Sequence, residues 1–239
     1  MRCWSPLFVF SVSFLVLTAA FSSPADAAIY DAVSGFTTPN PTSPWSYGSG
    51  VGGTSFTSFT NSYNNCYGVS GFNCYGTDPV INPGVASNTT ADQISFSTVT
   101  VPNTLLWVHP GPTSDVIIRF TTPDTANYLL SGLFERLSTV GAGNGVIVDI
   151  YGNTSLLFSS NSLSGNDLLY GSSTSFSITR HLNAGDTLDF VVNNNGSYSY
   201  DSSGVSATIS TIGIPEPASL SLVGAGLAGI SLIRRRRAV

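Results

Sequence analysis

From Ala91 to Ile212 apolar and polar residues alternate with a period of two, the pattern of strands buried on one face. Ile94, Phe96 and Thr98 alternate with Ser95 and Ser97, and Leu105 and Trp107 run into the turn His109-Pro110-Gly111-Pro112. Val116, Ile118 and Phe120 share one face, with Arg119 on the other. Tyr128, Leu130, Gly132 and Phe134 follow, then Val146, Val148 and Ile150 against Ile147, Asp149 and Tyr151. Gly152-Asn153 turns the chain into Leu156 and Phe158. Phe176, Ile178 and Arg180 lead to the turn Asn183-Ala184-Gly185-Asp186, and Leu188, Phe190, Val192, Val205, Ala207 and Ile209 complete the set. Short strands between turn signals, with no helical pattern, predict an all-β fold: an antiparallel β-sandwich of jelly-roll type over residues 91–213.

Residues 28–90 read differently. Gly, Ser, Thr, Pro and Asn dominate, and no alternating run is long enough to predict a strand. An irregular segment with short strands pinned by turns is expected there. Its aromatics (Phe36, Trp45, Tyr47, Phe56, Phe59, Tyr63, Tyr67, Phe72 and Tyr75) are too many for a linker, so part of it should pack on the sandwich.

The two ends break the pattern. Met1 and Arg2 precede an apolar run from Leu7 to Leu17, and Ala25-Asp26-Ala27 follows. This order predicts a signal helix within a secretory signal peptide over 1–27, cut by a signal peptidase before Ala28. About a dozen apolar residues are too few to span a bilayer, which takes roughly 17–25. At the other end, Ile214-Pro215-Glu216-Pro217 leads into an apolar run from Ala218 to Ile233, then Arg234, Arg235, Arg236 and Arg237. The apolar run predicts a single short transmembrane helix. The arginines would stay cytoplasmic, leaving the body outside.

Charge sharpens this. All eight basic residues are arginines. Between the two ends only Arg119, Arg136 and Arg180 face eleven carboxylates, a net charge of −8. Such a surface excludes nucleic-acid binding through a basic face and an electrostatic grip on anionic lipid. Self-repulsion of like-charged copies favours a monomer.

The tail Pro215-Glu216-Pro217, apolar helix and Arg234–Arg237 resembles the PEP-CTERM sorting signal of bacterial exported proteins. It is also similar to the C-terminal domain of some ice-binding proteins. The resemblance covers residues 214–239 and implies an exosortase as partner. Pro215, Glu216 and Pro217 would be its recognition element and Arg234 to Arg237 the cytoplasmic stop. It also implies delivery to the cell surface or extracellular matrix, with transient anchoring by the helix. LNAGDTLDF (Leu182–Phe190) resembles a hairpin common in extracellular β-sandwiches, and Val101–Thr208 resembles the body of many PEP-CTERM proteins. That implies a fold and no activity.

Candidate chemistry is sparse. With Cys3 removed, Cys66 and Cys74 in CYGVSGFNC form an even pair in an oxidising compartment, and a disulfide is expected. His109 and His181 are the two histidines, both at turns or strand ends, and no nucleophile elbow, zinc helix or phosphate loop occurs. Glu135, opposite Phe134 on its strand, reads as solvated, Asp186 as a turn residue and Asp189 as a structural residue alternating outward from Leu188 and Phe190. No catalytic residue, metal ligand or cofactor is therefore assigned, apart from an allowance for a structural calcium ion among Asp115, Asn193–Asn195 and Asp201. The expectation is a non-enzymatic structural or adhesive surface protein. The alternative is a carbohydrate-binding module for exopolysaccharide, using Trp45, Tyr47, Tyr63, Tyr67, Tyr75, Tyr198 or Tyr200; a hydrolase is the third reading.

Overall fold

The computed structural model describes residues 27–37, 39–41, 43–78, 81–165 and 168–212. The expected signal helix, Ala25, the Pro215-Glu216-Pro217 motif, the expected membrane helix and Arg234 to Arg237 lie outside the described residues. Within them the chain is strand and turn, with one 3-10 turn at Cys66–Gly68. No helix there is long and apolar enough to cross a membrane.

Strands are numbered in chain order. The larger sheet runs β14 (Ser173–Leu182), β11 (Ala126–Arg136), β16 (Ser203–Ile212), β9 (Leu106–His109), β6 (Ile81–Asn88), β5 (Phe72–Asp78) and β4 (Asn61–Tyr63). An eighth strand, β1 (Ile29–Asp31), pairs with the end of β16. The smaller sheet runs β13 (Ser155–Ser160), β12 (Ile147–Gly152), β15 (Thr187–Asn193), β10 (Asp115–Thr121), β2 (Trp45–Val51) and β3 (Ser55–Ser58). A hairpin, β7 (Ile94–Phe96) and β8 (Val99–Val101), stands apart from both.

Apart from the β12–β13 hairpin, the last eight strands alternate between the sheets, giving β9-β16-β11-β14 in one and β10-β15-β12-β13 in the other. That is jelly-roll wiring. It gathers the β9–β10, β11–β12, β13–β14 and β15–β16 loops at one pole, where Asn194 donates to the Gly111 carbonyl (2.8 Å) and Gly165 to that of Asn144 (2.7 Å). The β10–β11, β12–β13 and β14–β15 loops meet at the other pole through Thr122, Asn153, Asn183 and Asp186.

The alternation buries Ile118, Phe120, Tyr128, Leu130, Phe134 and Phe190 between the sheets. Full burial of each such side chain contributes roughly 1.5–3 kcal/mol. A second cluster lies on the outer face of the larger sheet. There Phe72, Trp107, Leu105 and Leu137 are roofed by Val99 and Val101 of the β7–β8 hairpin.

Segment 28–90 is more regular than expected. It supplies six strands, with β2 pairing β10 over six residue pairs and β5–β6 extending the larger sheet, so no boundary falls at residue 90. In β2 the inward positions hold Trp45 and Tyr47, whereas the outward ones hold Ser46, Gly48 and Gly50. The outward set is small because β3 closes down on it: a Cβ at Gly48 would lie 2.7 Å from the Phe56 ring. Ala28 pairs with the end of β16: its N–H donates to Thr211 Oγ1 (2.8 Å) and its carbonyl accepts from Thr211 N–H (2.9 Å).

Candidate functional site

Along β9, Leu106 and Val108 face the core between the sheets, so Trp107 and His109 point outward. Three neighbouring segments rise around those two rings: the 3-10 turn with Tyr67, the β7–β8 hairpin with Phe96, Ser97 and Thr98, and the 198–202 loop with Tyr200 and Ser202. Together with Asn82 at the start of β6 they enclose a recess of about 160 Å³.

Its walls are aromatic. Tyr67 stacks on Phe96, with centroids 4.6 Å apart, and both meet Trp107 edge-on. Tyr198 approaches His109 edge-on at 6.3 Å. The 3-10 turn is held by a disulfide between Cys66 and Cys74, whose Cα atoms are 6.1 Å apart. Replacing both cysteines by serine is expected to lower stability by about 2–3 kcal/mol in the chain-entropy picture. Reversible urea unfolding checks it, and a loss below about 0.5 kcal/mol would refute it.

The polar groups are uncharged and mixed. Tyr67 O–H donates to Asn82 Oδ1 (3.3 Å), which turns the amide so that Nδ2 is left to donate elsewhere. Trp107 Nε1–H donates to Ser202 Oγ (3.1 Å), leaving the serine hydroxyl proton available. His109 Nδ1 lies 2.8 Å from the Pro110 carbonyl. A carbonyl only accepts, so the proton sits on Nδ1, and Nε2 is an acceptor. Burial lowers this histidine to about 4, so it is neutral at ordinary pH. Ser97 and Thr98 add hydroxyls.

The backbone here is unusual. Six described residues other than glycine have φ in the left-handed region: Asn65, Tyr67, Ser97, Asn153, Asn195 and Tyr200. Asparagine adopts it readily; tyrosine and serine do not. All three that are not asparagine, at φ 56°, 48° and 65°, line this recess. Strain held at one place by the surrounding fold is a mark of a functional site.

The same 198–202 loop holds a buried carboxyl. Asp201 is 1% exposed, and neither carboxyl oxygen has a hydrogen-bond partner. Burial pushes it up to about 8 against the pull of the Arg136 guanidinium. Arg136 itself donates through Nη2 to the carbonyls of Val140 (2.9 Å) and Ala142 (2.7 Å).

Of the aromatics expected to face a ligand, Tyr67 and Tyr200 line the recess, and Tyr198 stands at its edge. Trp45, Tyr47 and Tyr75 do not. They are buried in the core, Tyr47 stacked on Tyr75 at 5.4 Å. Tyr63 packs on the second cluster. Asp189 points outward as expected but is buried, with Arg119 Nε and Nη2 donating to its two oxygens at 2.6 and 2.8 Å. The residues considered for calcium make internal bonds: Asp115 accepts from Gly52 N–H (3.0 Å) and Asn193 Nδ2 (2.6 Å), and Asn194 holds the 110–112 turn. Among the described residues no three carboxylate, histidine or cysteine side chains converge.

Sequence reasoning missed Asn82, Ser97, Thr98 and Ser202. One signal was present: Leu106-Trp107-Val108 is apolar without alternation, the mark of a strand covered on both faces.

The ends of the chain complete the picture. Residues 213–237 match the PEP-CTERM protein-sorting motif. The match takes in Pro215-Glu216-Pro217, the apolar run and the arginine cluster, and implies a protein exported and sorted by an exosortase. No curated protein matches the chain. Among solved structures, a family 51 carbohydrate-binding module from Clostridium perfringens, in complex with methyl-galactose, is 14% identical with a TM-score of 0.37, over 68% of this chain and 99% of that one. The tandem family 51 modules of a family 98 glycoside hydrolase from Streptococcus pneumoniae give 10% and 0.39, over 72% and 50%. Rabbit GITRL gives 12% and 0.30, over 42% and 74%. Likenesses this distant carry no function across.

Proposed function

We propose that this is a non-catalytic surface or matrix protein whose jelly roll binds one ring of a neutral saccharide in the recess above Trp107. The observation that carries the reading is the convergence of Tyr67, Ser97 and Tyr200, all held left-handed, on a recess with aromatic walls and uncharged polar groups. A sugar ring offers a C–H face to aromatic rings and hydroxyls that both donate and accept. Asn82 Nδ2, the Ser202 hydroxyl and His109 Nε2 supply that mixture. With no charged side chain in the lining, neither an anionic nor a cationic ligand finds a counter-charge.

The volume sets the scale. It is smaller than the roughly 300–1,000 Å³ of sites for drug-sized ligands, which favours one sugar ring with affinity near millimolar, about −4 kcal/mol. Export and exosortase sorting would place the domain among extracellular polysaccharide, with anchoring by the apolar run before or instead of release. A non-catalytic role is supported by the histidines: among the described residues neither hydrogen-bonds a carboxylate, His109 bonding Pro110 and His181 bonding Asn127.

Affinity electrophoresis of the detergent-solubilised full chain tests this, in gels containing galactomannan, dextran or hydroxyethylcellulose, with alginate as the acidic counterpart. Retardation by at least one neutral polymer is expected. Retardation by none of them, or by alginate alone, would overturn the reading.

A further inference from the structure

A second recess, of about 280 Å³, lies on the outer face of the smaller sheet, whereas the recess above Trp107 lies on that of the larger one. Its floor is Arg119, which lies over the Phe56 ring at 4.1 Å and is fixed by its two bonds to Asp189. Those bonds use Nε and Nη2, so Nη1 is left to donate into the recess. One wall is the turn between β2 and β3, pressed onto the sheet because Gly53, at φ +68°, lets the backbone come within reach of the Tyr151 ring; a Cβ there would lie 2.5 Å from it. The facing wall is the β12–β13 turn. Asn153 at φ 52° donates through Nδ2 to Asp186 Oδ1 (3.1 Å), and its Oδ1 accepts from Thr187 N–H (2.9 Å). Both walls are thus rigid. The exposed Thr54 and Thr154 hydroxyls stand at their rims.

We infer that this recess is a second saccharide site, and that the domain bridges two polysaccharide chains through opposite faces. The inference extends the saccharide reading of the first recess and rests on it. Arg119 Nη1 and the threonine hydroxyls suit a sugar's hydroxyl oxygens. A uronate or phosphate gains nothing here, because Asp189 already neutralises Arg119 and Asp186 adds a further negative charge at the rim. Two weak sites on one rigid body suffice to cross-link polymer, because many such bridges between the same pair of polymer-coated surfaces act together.

The test uses the full chain in detergent, beads coated with the neutral polymer that retards it, and two variants. Thr54→Leu/Thr154→Leu fills the second recess while leaving the Arg119–Asp189 pair intact; replacing Arg119 would instead strand a buried carboxylate. Tyr200→Gly opens the first. Wild-type protein is expected to agglutinate the beads. Each variant should still be retarded in the gel yet require at least about tenfold more protein to agglutinate. Unchanged agglutination by Thr54→Leu/Thr154→Leu would overturn the second site and point to bridging by a dimer. Complete loss of retardation in Tyr200→Gly would also overturn it, leaving the first recess as the binding site. Full retardation in Tyr200→Gly with none in the double variant would instead remove the first site and keep the second.

Discussion

Replacing Tyr200 by glycine is expected to weaken saccharide binding at the recess above Trp107 at least tenfold while costing the fold no stability. The two effects have separate causes. The ring, 45% exposed, is a wall of the recess and supports nothing in the core between the sheets. Its backbone is held at φ 65°, where a side chain with a Cβ costs about 1–2 kcal/mol. Glycine removes that cost and gives back part of it, roughly 0.5–1 kcal/mol, as extra freedom in the unfolded chain. Urea unfolding should therefore show stability unchanged or raised by up to about 1 kcal/mol. Isothermal titration with an oligosaccharide of the retarding polymer measures the binding loss. A variant that is less stable yet binds normally would mean that Tyr200 serves the fold and not a ligand.

The second large effect concerns pH. Asp201 is expected to make the folded protein less stable as pH rises from about 6.5 to 8, and Asp201→Asn to abolish that fall. The folded carboxyl keeps its proton up to about 8, whereas in the unfolded chain it titrates near 3.8. Between those values the folded state binds the extra proton, so raising pH favours unfolding. His109 acts in the opposite sense. It is held neutral down to about 4 in the fold but takes a proton near 6.5 when unfolded, so its contribution is lost as pH falls through that window. The two groups nearly cancel from about pH 4 to 6.5. Above 6.5 His109 no longer opposes Asp201, and the decline Asp201 contributes amounts to about 1–2 kcal/mol after allowance for solvent screening at the loop. In Asp201→Asn the curve should instead rise to pH 6.5 and then level off, as followed by urea unfolding at a series of pH values. A wild-type curve flat between pH 6.5 and 8 would show that the carboxyl is ionised in the fold.

Much of the jelly roll was legible because β10, β11, β12, β15 and β16 send one apolar face into the core between the sheets and leave the other mixed, so burial is written as alternation. The strands before residue 90 were not. In β2 the partner strand β3 demands glycine and serine on the outward face, and in β6 Pro83 and Gly84 stand inside the strand, where they break any apolar alternation. The first recess was hidden for a different reason. Tyr67, Asn82, Trp107 and Tyr200 come together only once the sheet is assembled, and the sign of φ at Tyr67, Ser97 and Tyr200 leaves no trace in composition. Abundance of aromatics misled in the same way: Trp45, Tyr47 and Tyr75 were candidates for a ligand face because nothing local distinguishes a core tyrosine from an exposed one.

The strand β16 joins two things that matter to a protein at a cell surface. Ser202, at the recess, directly precedes it, and the sorting segment begins one residue beyond its end at Ile212. Ten residues at about 3.3 Å each set these ends roughly 33 Å apart. A pull between a captured polymer and an anchored tail would run along this one strand. It is clamped by β11 over ten residue pairs, by β9 at its start and by β1 at its end. Loaded along their axis, such strands must break many hydrogen bonds at once, whereas a peeled edge gives way one bond at a time. The wiring thus makes β16 a tension member that would carry a load applied between Ser202 and Ile212.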